Sequence, residues 1–335
     1  MKIGVSLPTY PDYPPEQQVP MILRYAERAE ELGFSSIWAY DHILRITPNP
    51  TYAGLTWLDP LQALAFVAAR TTLPLGTIYC GCLRHPVFTA KSIATLMYLA
   101  PERFVLAPVL GWFGAEHELA GFPRGERGVR TDEWLAIQDR LLTERNVTHH
   151  GRFHSFEDLT IDPVIGRRPT TWVTGGAAYY EPDAAQDRPS LKPKVLDRIL
   201  RYDGWLVSAQ ASARKAGADW ERICAAARER GDDAERLTRA YTNFLHLVET
   251  DDREVAYEVQ RPIYEGRNRH EDSTFEERSG QVLLTGSIGD VIDKLRAHRD
   301  AYGLEEFVAN VHPSGHEIDQ LELWGKHLVP ALAEL

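Results

Sequence analysis

The stretch AERAEELGFSSIWAYDHI, Ala26 to Ile43, holds a helix end, a turn and a strand in direct succession. Upstream, Val19, Ile22 and Leu23 run on into Ala26, Ala29 and Leu32 as an apolar stripe at helical spacing. Gly33 follows the last apolar position, where a residue without a side chain readily takes the positive φ that often ends a helix. SSIWAYDHI, residues 35–43, is short and continuously apolar up to Asp41, which predicts a parallel strand covered on both faces.

The same beat extends in both directions. A strand is predicted at Lys2 to Pro8, before the helix. LDPLQALAFVAARTT (58–72) reads as a helix with proline in its first turn, and LPLGTIYCG (73–81) as a strand. HPVFTAKSIATLMYLAP (85–101), RFVLAPVLG (103–111) and GVRTDEWLAIQDRLL (128–142) then give helix, strand and helix. TTWVTGG (170–176), DGWLVSA (203–209), RAYTNFLHLVE (239–249) and EEFVANVH (305–312) supply four more strands. Helices are predicted between them up to Arg201, up to Arg230 and over SIGDVIDKLRAHRDAY (287–302), where Ser287 and Asp290 have the spacing of a cap. Eight strands, each trailed by a helix, fit a closed parallel barrel better than an open sheet. The expected fold class is α/β, a single (β/α)8 TIM barrel over residues 1–335. Three segments interrupt the rhythm: a hairpin at 146–161, a polar excursion at 178–193 and an insertion at 265–281.

Forty-eight acidic against 37 basic residues give a net charge of -11, which opposes nucleic acid and anionic lipid, so neither is an expected partner. The opening reads as a strand without a leader pattern, and no run is long and apolar enough to span a bilayer, so a cytoplasmic enzyme is expected. Three cysteines are too few for a disulfide framework. Cys80 and Cys82 form a C-x-C pair with His85 close by, but zinc generally takes four ligands and no second cluster provides the others, so no metal is expected.

Barrel active sites lie where the strands end, which selects Tyr10, Asp41 with His42, Tyr79 with Cys80, Trp112, Gly175 with Gly176, and His312. Asp41 and His42 place a carboxylate and an imidazole at the rim, suited to orienting a substrate or moving a proton near neutral pH. Gly175, Gly176, Ala177 and Ala178 put small residues where a chain turns toward a helix, so backbone amides there can approach a phosphate; a tight turn is the plain alternative. In GWFGAEHELAG (111–121) Trp112 offers a flat ring, while Glu116, His117 and Glu118 are mostly expected to face water. Tyr10, Tyr52, Trp57, Trp112, Tyr179 and Tyr180 suggest a flat or apolar substrate. No G-x-S-x-G elbow appears, which disfavours a serine hydrolase without excluding a triad built from distant residues.

Together these segments resemble the luciferase-like superfamily of flavin-dependent monooxygenases and enzymes that use the deazaflavin coenzyme F420. The carriers are GVSLPTY (4–10), the stretch 26–43, residues 58–77, RHPVFTAKSIATL (84–96), residues 111–135, WVTGG (172–176), YDGWL (202–206) and LTGSIGDVIDKLRAH (284–298). The family's usual glycine-rich turn and strand four are replaced here by LAPERF (99–104) and VLAPVLGW (105–112). The resemblance implies a reduced cofactor, F420 or FMN, across the strand ends, with its phosphate near Gly175 to Ala178. Its ring is expected against a bulge of the third strand at Ile78, Tyr79 and Cys80, often with a nonproline cis peptide. Asp41 and His42 look like the pair that faces the reactive ring in the deazaflavin branch, so Asp41, Tyr79 and Gly176 are expected to open onto one cavity. Hydride transfer with F420 is favoured over an FMN-dependent two-component monooxygenase that uses O2 and a flavin reductase. A barrel hydrolase or cofactor-free binder is the reading from another class, since a fold does not fix a function. A homodimer through outer helices is also expected.

Overall fold

Lys2–Ser6 (β1) lies between Ile37–Tyr40 (β2) and Glu306–Val311 (β10) in parallel register, so the two ends of the chain close one sheet. In this computed structural model, which describes residues 1–9, 13–45, 57–176, 187–265, 273–313 and 315–335, the barrel runs β1-β10-β9-β8-β7-β4-β3-β2. Its other strands are Leu75–Tyr79 (β3), Phe104–Pro108 (β4), Thr170–Gly175 (β7), Gly204–Val207 (β8) and Thr238–Leu245 (β9). All eight predicted strands are therefore present. Val147–His150 (β5) and Ser155–Leu159 (β6) pair antiparallel as the expected hairpin outside the barrel.

Among the described residues the helices are Pro15–Glu31 (α1), Pro60–Ala68 (α2), Pro86–Leu99 (α3), Gly114–Leu119 (α4), Arg127–Thr143 (α5), Pro193–Arg201 (α6), Ala213–Glu229 (α7), Arg253–Glu265 (α8), Phe275–Gln281 (α9), Ile288–Tyr302 (α10) and Glu317–Ala333 (α11). No helix among them is long and apolar enough to cross a membrane. α1 ends as expected, with Gly33 at φ +84°. Its buried face is Gln18, Ile22, Tyr25, Ala26 and Ala29, and Val19 is exposed instead. Aromatic Tyr25 fills the place that a purely aliphatic stripe would assign to its neighbours. α10 opens with a capping box between Ser287 and Asp290.

Side chains alternate across each strand, so one parity points to the helices and the other to the barrel axis. Ile37, Ala39, Leu75, Tyr79, Leu106 and Val207 join the large outer core between sheet and helices. Trp38, Ala107, Trp172, Leu206, Ala240 and Val308 fill the axis, with Ile78 and Val105 against them. The two indoles meet at 5.4 Å. They fit because β3 and β8 carry glycine beside them: a Cβ on Gly76 would stand 2.4 Å from Trp38, and one on Gly204 2.5 Å from Trp172.

Candidate active site

The axial parity of β2 runs Trp38, Tyr40, His42, and the site rises along it. Above the tryptophan layer, the Tyr40 hydroxyl meets Thr242 Oγ1 at 2.6 Å, and Asn310 Nδ2 donates to the same oxygen at 3.0 Å. Burial drives the Tyr40 hydroxyl to a pKa above its ordinary range, so it stays a neutral hydrogen-bonding group. This polar layer from β2, β9 and β10 separates the apolar floor from the strand ends.

His42 stands one step higher. Its Nδ1 lies 3.2 Å from Glu116 Oε1 and 3.3 Å from Oε2, and its ring packs 4.8 Å from Trp57 and, edge-on, 5.7 Å from Trp112. The Glu116 side chain is 2% exposed and His42 12%, so the pair is nearly dry. Glu116 also accepts from the backbone N–H groups of Ile43 at 2.6 Å and Leu44 at 3.1 Å. Burial alone pushes the Glu116 carboxyl up; the bond and charge of His42, with the two backbone donors, outweigh it and hold the group below its usual range. A carboxylate fixed in this way favours a proton on Nδ1 and leaves Nε2 as the atom that exchanges one. Glu116 and His117, expected in solvent, are both buried on the inner face of the short helix α4, while Glu118 is exposed.

Asp41 belongs to the opposite parity and does not reach the mouth. Its side chain is fully enclosed: Arg84 Nη1 and Nη2 donate to Oδ2 and Oδ1 at 2.6 and 2.7 Å, and the Cys80 N–H donates to Oδ2 at 2.9 Å. The expectation that Asp41 faces a reactive ring is therefore corrected. Asp41 ties the end of β2 to the turn after β3, and the partner of His42 is Glu116. Arg84, which sequence reasoning passed over, also lies 4.8 Å over the Tyr79 ring and 3.6 Å from Asp59.

The third strand shows the same parity. Ile78 faces the axis, whereas Tyr79 is 1% exposed, packs 6.0 Å from Trp134 and points to the helices. Cys80 is buried as well. Pairing of β3 with β4 is regular from Leu75–Phe104 to Tyr79–Pro108, without the expected bulge. The cis peptide bonds among the described residues precede Pro163 and Pro313, and none lies near Tyr79. Asp41 and Tyr79 are thus both enclosed, and His42 and Ile78 hold the inward places.

Gly175 is explained by packing, since a Cβ there would come 2.8 Å from Val195 and 2.9 Å from Leu191. Gly176 has φ +117°, and the Asp219 carboxylate, held by Ser190 and the Leu191 N–H, lies beside it. Tyr10, Tyr52, Ala177, Ala178, Tyr179 and Tyr180 lie outside the described residues. His312 is buried at the end of β10, 6.1 Å edge-on from Phe244. An open depression of about 520 Å³ lined by Arg28, Leu32 and Glu322 lies on the outer wall between α1 and α11, away from the strand ends.

The family described as luciferase-like monooxygenase matches residues 1–182. Over 146 residues the chain is 34% identical to the F420-dependent glucose-6-phosphate dehydrogenase of Kineococcus radiotolerans, covering 41% of each protein. Over 104 residues it is 31% identical to the FMNH2-dependent dimethylsulfone monooxygenase of Pseudomonas putida, covering 30% of this chain and 29% of that one. The matches thus span less than half the length of these curated relatives. Among solved structures, the monooxygenase RslO1 from Streptomyces bottropensis superposes with a TM-score of 0.75 at 20% identity, over 99% of this chain and 100% of that one. An F420-dependent secondary alcohol dehydrogenase gives 0.73 at 19% identity, over 99% and 98%. At such identities these likenesses establish the barrel fold.

Proposed function

The chain belongs to the luciferase-like monooxygenase family, whose members are flavin- or F420-dependent oxidoreductases, and on that premise we propose that it reduces a small organic substrate by hydride transfer from reduced F420. The observation that carries this reading is the dry His42–Glu116 pair between Trp57 and Trp112 at the mouth of the barrel. A tricyclic ring suits these surroundings: indole faces and Ile78 offer apolar contact, and Ser6 and Thr9 bring buried hydroxyls without a partner among the described residues to the end of β1 and just beyond it. When bound, reduced F420 supplies a hydride. His42 then holds or delivers the matching proton at Nε2, Glu116 fixes the ring, and the tryptophans exclude water and align the substrate.

The F420-dependent dehydrogenases among the relatives support the choice of cofactor. The FMNH2-dependent relative supports a second reading, monooxygenation with O2 and reduced flavin from a separate reductase. A cofactor phosphate near Gly175 and Gly176 remains part of the proposal. A second copy of the chain is the proposed macromolecular partner, supported by the exposed Phe88, Tyr98 and Leu99 of α3 and Phe66 of α2.

Titrating the protein with reduced F420 and with reduced FMN decides between the cofactors. Binding of F420 below about 10 μM, or roughly -7 kcal/mol, with weaker FMN binding is expected. Substrate-linked oxygen consumption with FMN alone would select the monooxygenase, and affinity for neither would reject the redox reading.

A further inference from the structure

Beside the proposed mouth, in the turn that follows β3, Cys80, Cys82 and His117 bring their ligand-type atoms within 4.8 Å of one another, the one such group of three among the described residues. We propose that these three side chains bind a single thiophilic divalent cation of the zinc class, and that the ion braces the helix carrying Glu116. Nothing in the reading above requires this ion.

The sulfur spacing fits an ion better than a disulfide, and the imidazole closes in by about 1 Å to share it. The two sulfurs stand 3.9 Å apart. A tetrahedral ion with bonds of about 2.3 Å to sulfur separates its ligands by about 3.8 Å. A disulfide needs about 2.05 Å. His117 has capacity to spare: Nε2 meets the Leu110 carbonyl at 3.0 Å, and Nδ1 is buried without a partner among the described residues. The residue itself is 1% exposed.

Charge and shape agree. Each thiol loses its proton as its sulfur binds, so one dication displaces two protons and leaves a neutral site with a neutral imidazole. Neutrality suits the apolar shell of Leu83, Phe122, Val109 and Ala120 around the group. Gly111, at φ +71°, keeps the approach open, because a Cβ there would stand 2.8 Å from Cys80 Sγ and 3.2 Å from His117 Nε2. His85, the ligand suggested by sequence proximity, turns instead to Phe88 and His154, each 5.2 Å between ring centres.

The cluster joins the elements that set the mouth. Cys80 donates its N–H to Asp41 at 2.9 Å, and His117 adjoins Glu116, which holds His42. A bound ion therefore fixes α4 against the turn that follows β3.

The test is uptake by the full chain without cofactor. Cd²⁺ titration, followed by the ultraviolet charge-transfer band of cadmium thiolate, and zinc analysis after dialysis are expected to give one ion per chain. Cys80→Ser and Cys82→Ser should abolish the band, and His117→Gln should weaken binding about 100-fold or more, beyond the usual cost of losing a mere supporting bond. Cys224→Ser and His85→Gln should leave uptake unchanged. Absence of the thiolate band in the wild-type protein overturns the proposal, whatever the variants do. Loss of the band in Cys224→Ser, or its retention in Cys80→Ser, overturns it equally.

Discussion

His42 Nδ1 and Glu116 Oε1 stand 3.2 Å apart across 74 positions of sequence, joining the end of β2 to a helix that follows β4. The contact is flanked by two indoles, which hold the ring in one orientation with Nε2 unpaired among the described residues. His42→Ala is expected to lower turnover by about 10²- to 10⁴-fold, the range of a positioned proton-transfer group. Glu116→Gln keeps the shape but can no longer accept at both oxygens, and should lower kcat more than it changes KM. The acidic limb of the pH profile should move as well. Turnover measured against pH for wild type and both variants checks this; an unchanged profile in Glu116→Gln would remove His42 from the chemistry.

Asp41 gives the contrasting prediction. Its carboxylate is wholly enclosed and its neighbours are Arg84 and the Cys80 N–H. Removing one member of a buried pair costs up to about 3 to 5 kcal/mol, and Asp59, 3.6 Å from Arg84, offsets part of that. Asp41→Ala should therefore lose stability by up to that amount in urea unfolding, while His42→Ala loses much less. Equal losses would show that the Asp41–Arg84 pair carries no special weight.

The barrel was legible because its signal is distributed: eight apolar runs and the helices between them repeat whatever any single residue does. The site was legible only to within one residue. Adjacent positions of a strand face opposite sides, so reading Asp41 and His42 as a pair merged a residue tied into the outer layer with one at the mouth. The same parity separated Ile78 from Tyr79. Trp38 held the signal that would have settled it, since an indole that fills the axis puts His42, four positions on, on the same side. Glu116 was weighed as one of three polar groups expected in solvent, because nothing local to a six-residue helix says which face is covered. His117 for His85 is a similar substitution of spatial for sequential nearness.

Gly76 supplies a packing prediction. Its Cα hydrogen occupies space where a Cβ would lie 2.4 Å from the Trp38 indole, enclosed in the axis of the barrel. Gly76→Ala should cost at least the 1 to 3 kcal/mol typical of overpacking, with lower thermal stability. Adding Trp38→Phe should recover part of the loss by clearing the clash. Additive losses in the double variant would place the cost elsewhere.

Lys294 makes stability depend on alkaline pH. Its stem keeps some exposure, but the ammonium ends among acceptors, donating to the Thr285 carbonyl at 2.6 Å, the Leu283 carbonyl at 3.1 Å and Ser279 Oγ at 3.3 Å. Burial pushes its pKa down from 10.5 to about 8; the charge of Asp290 acts against this and that of Arg253 adds to it. Below pH 8 both folded and unfolded chains carry the proton, and the cost of enclosing the charge is fully present. Between about 8 and 10.5 the unfolded chain binds more protons than the folded one, so stability gains with rising pH. At about 1.4 kcal/mol per unit the gain is on the order of 3 kcal/mol. Lys294→Met lacks this term. The unfolding free energy of the wild type minus that of the variant, taken from urea curves between pH 7 and 10, should therefore grow with pH; a constant difference would mean that the ammonium is solvated in the folded chain.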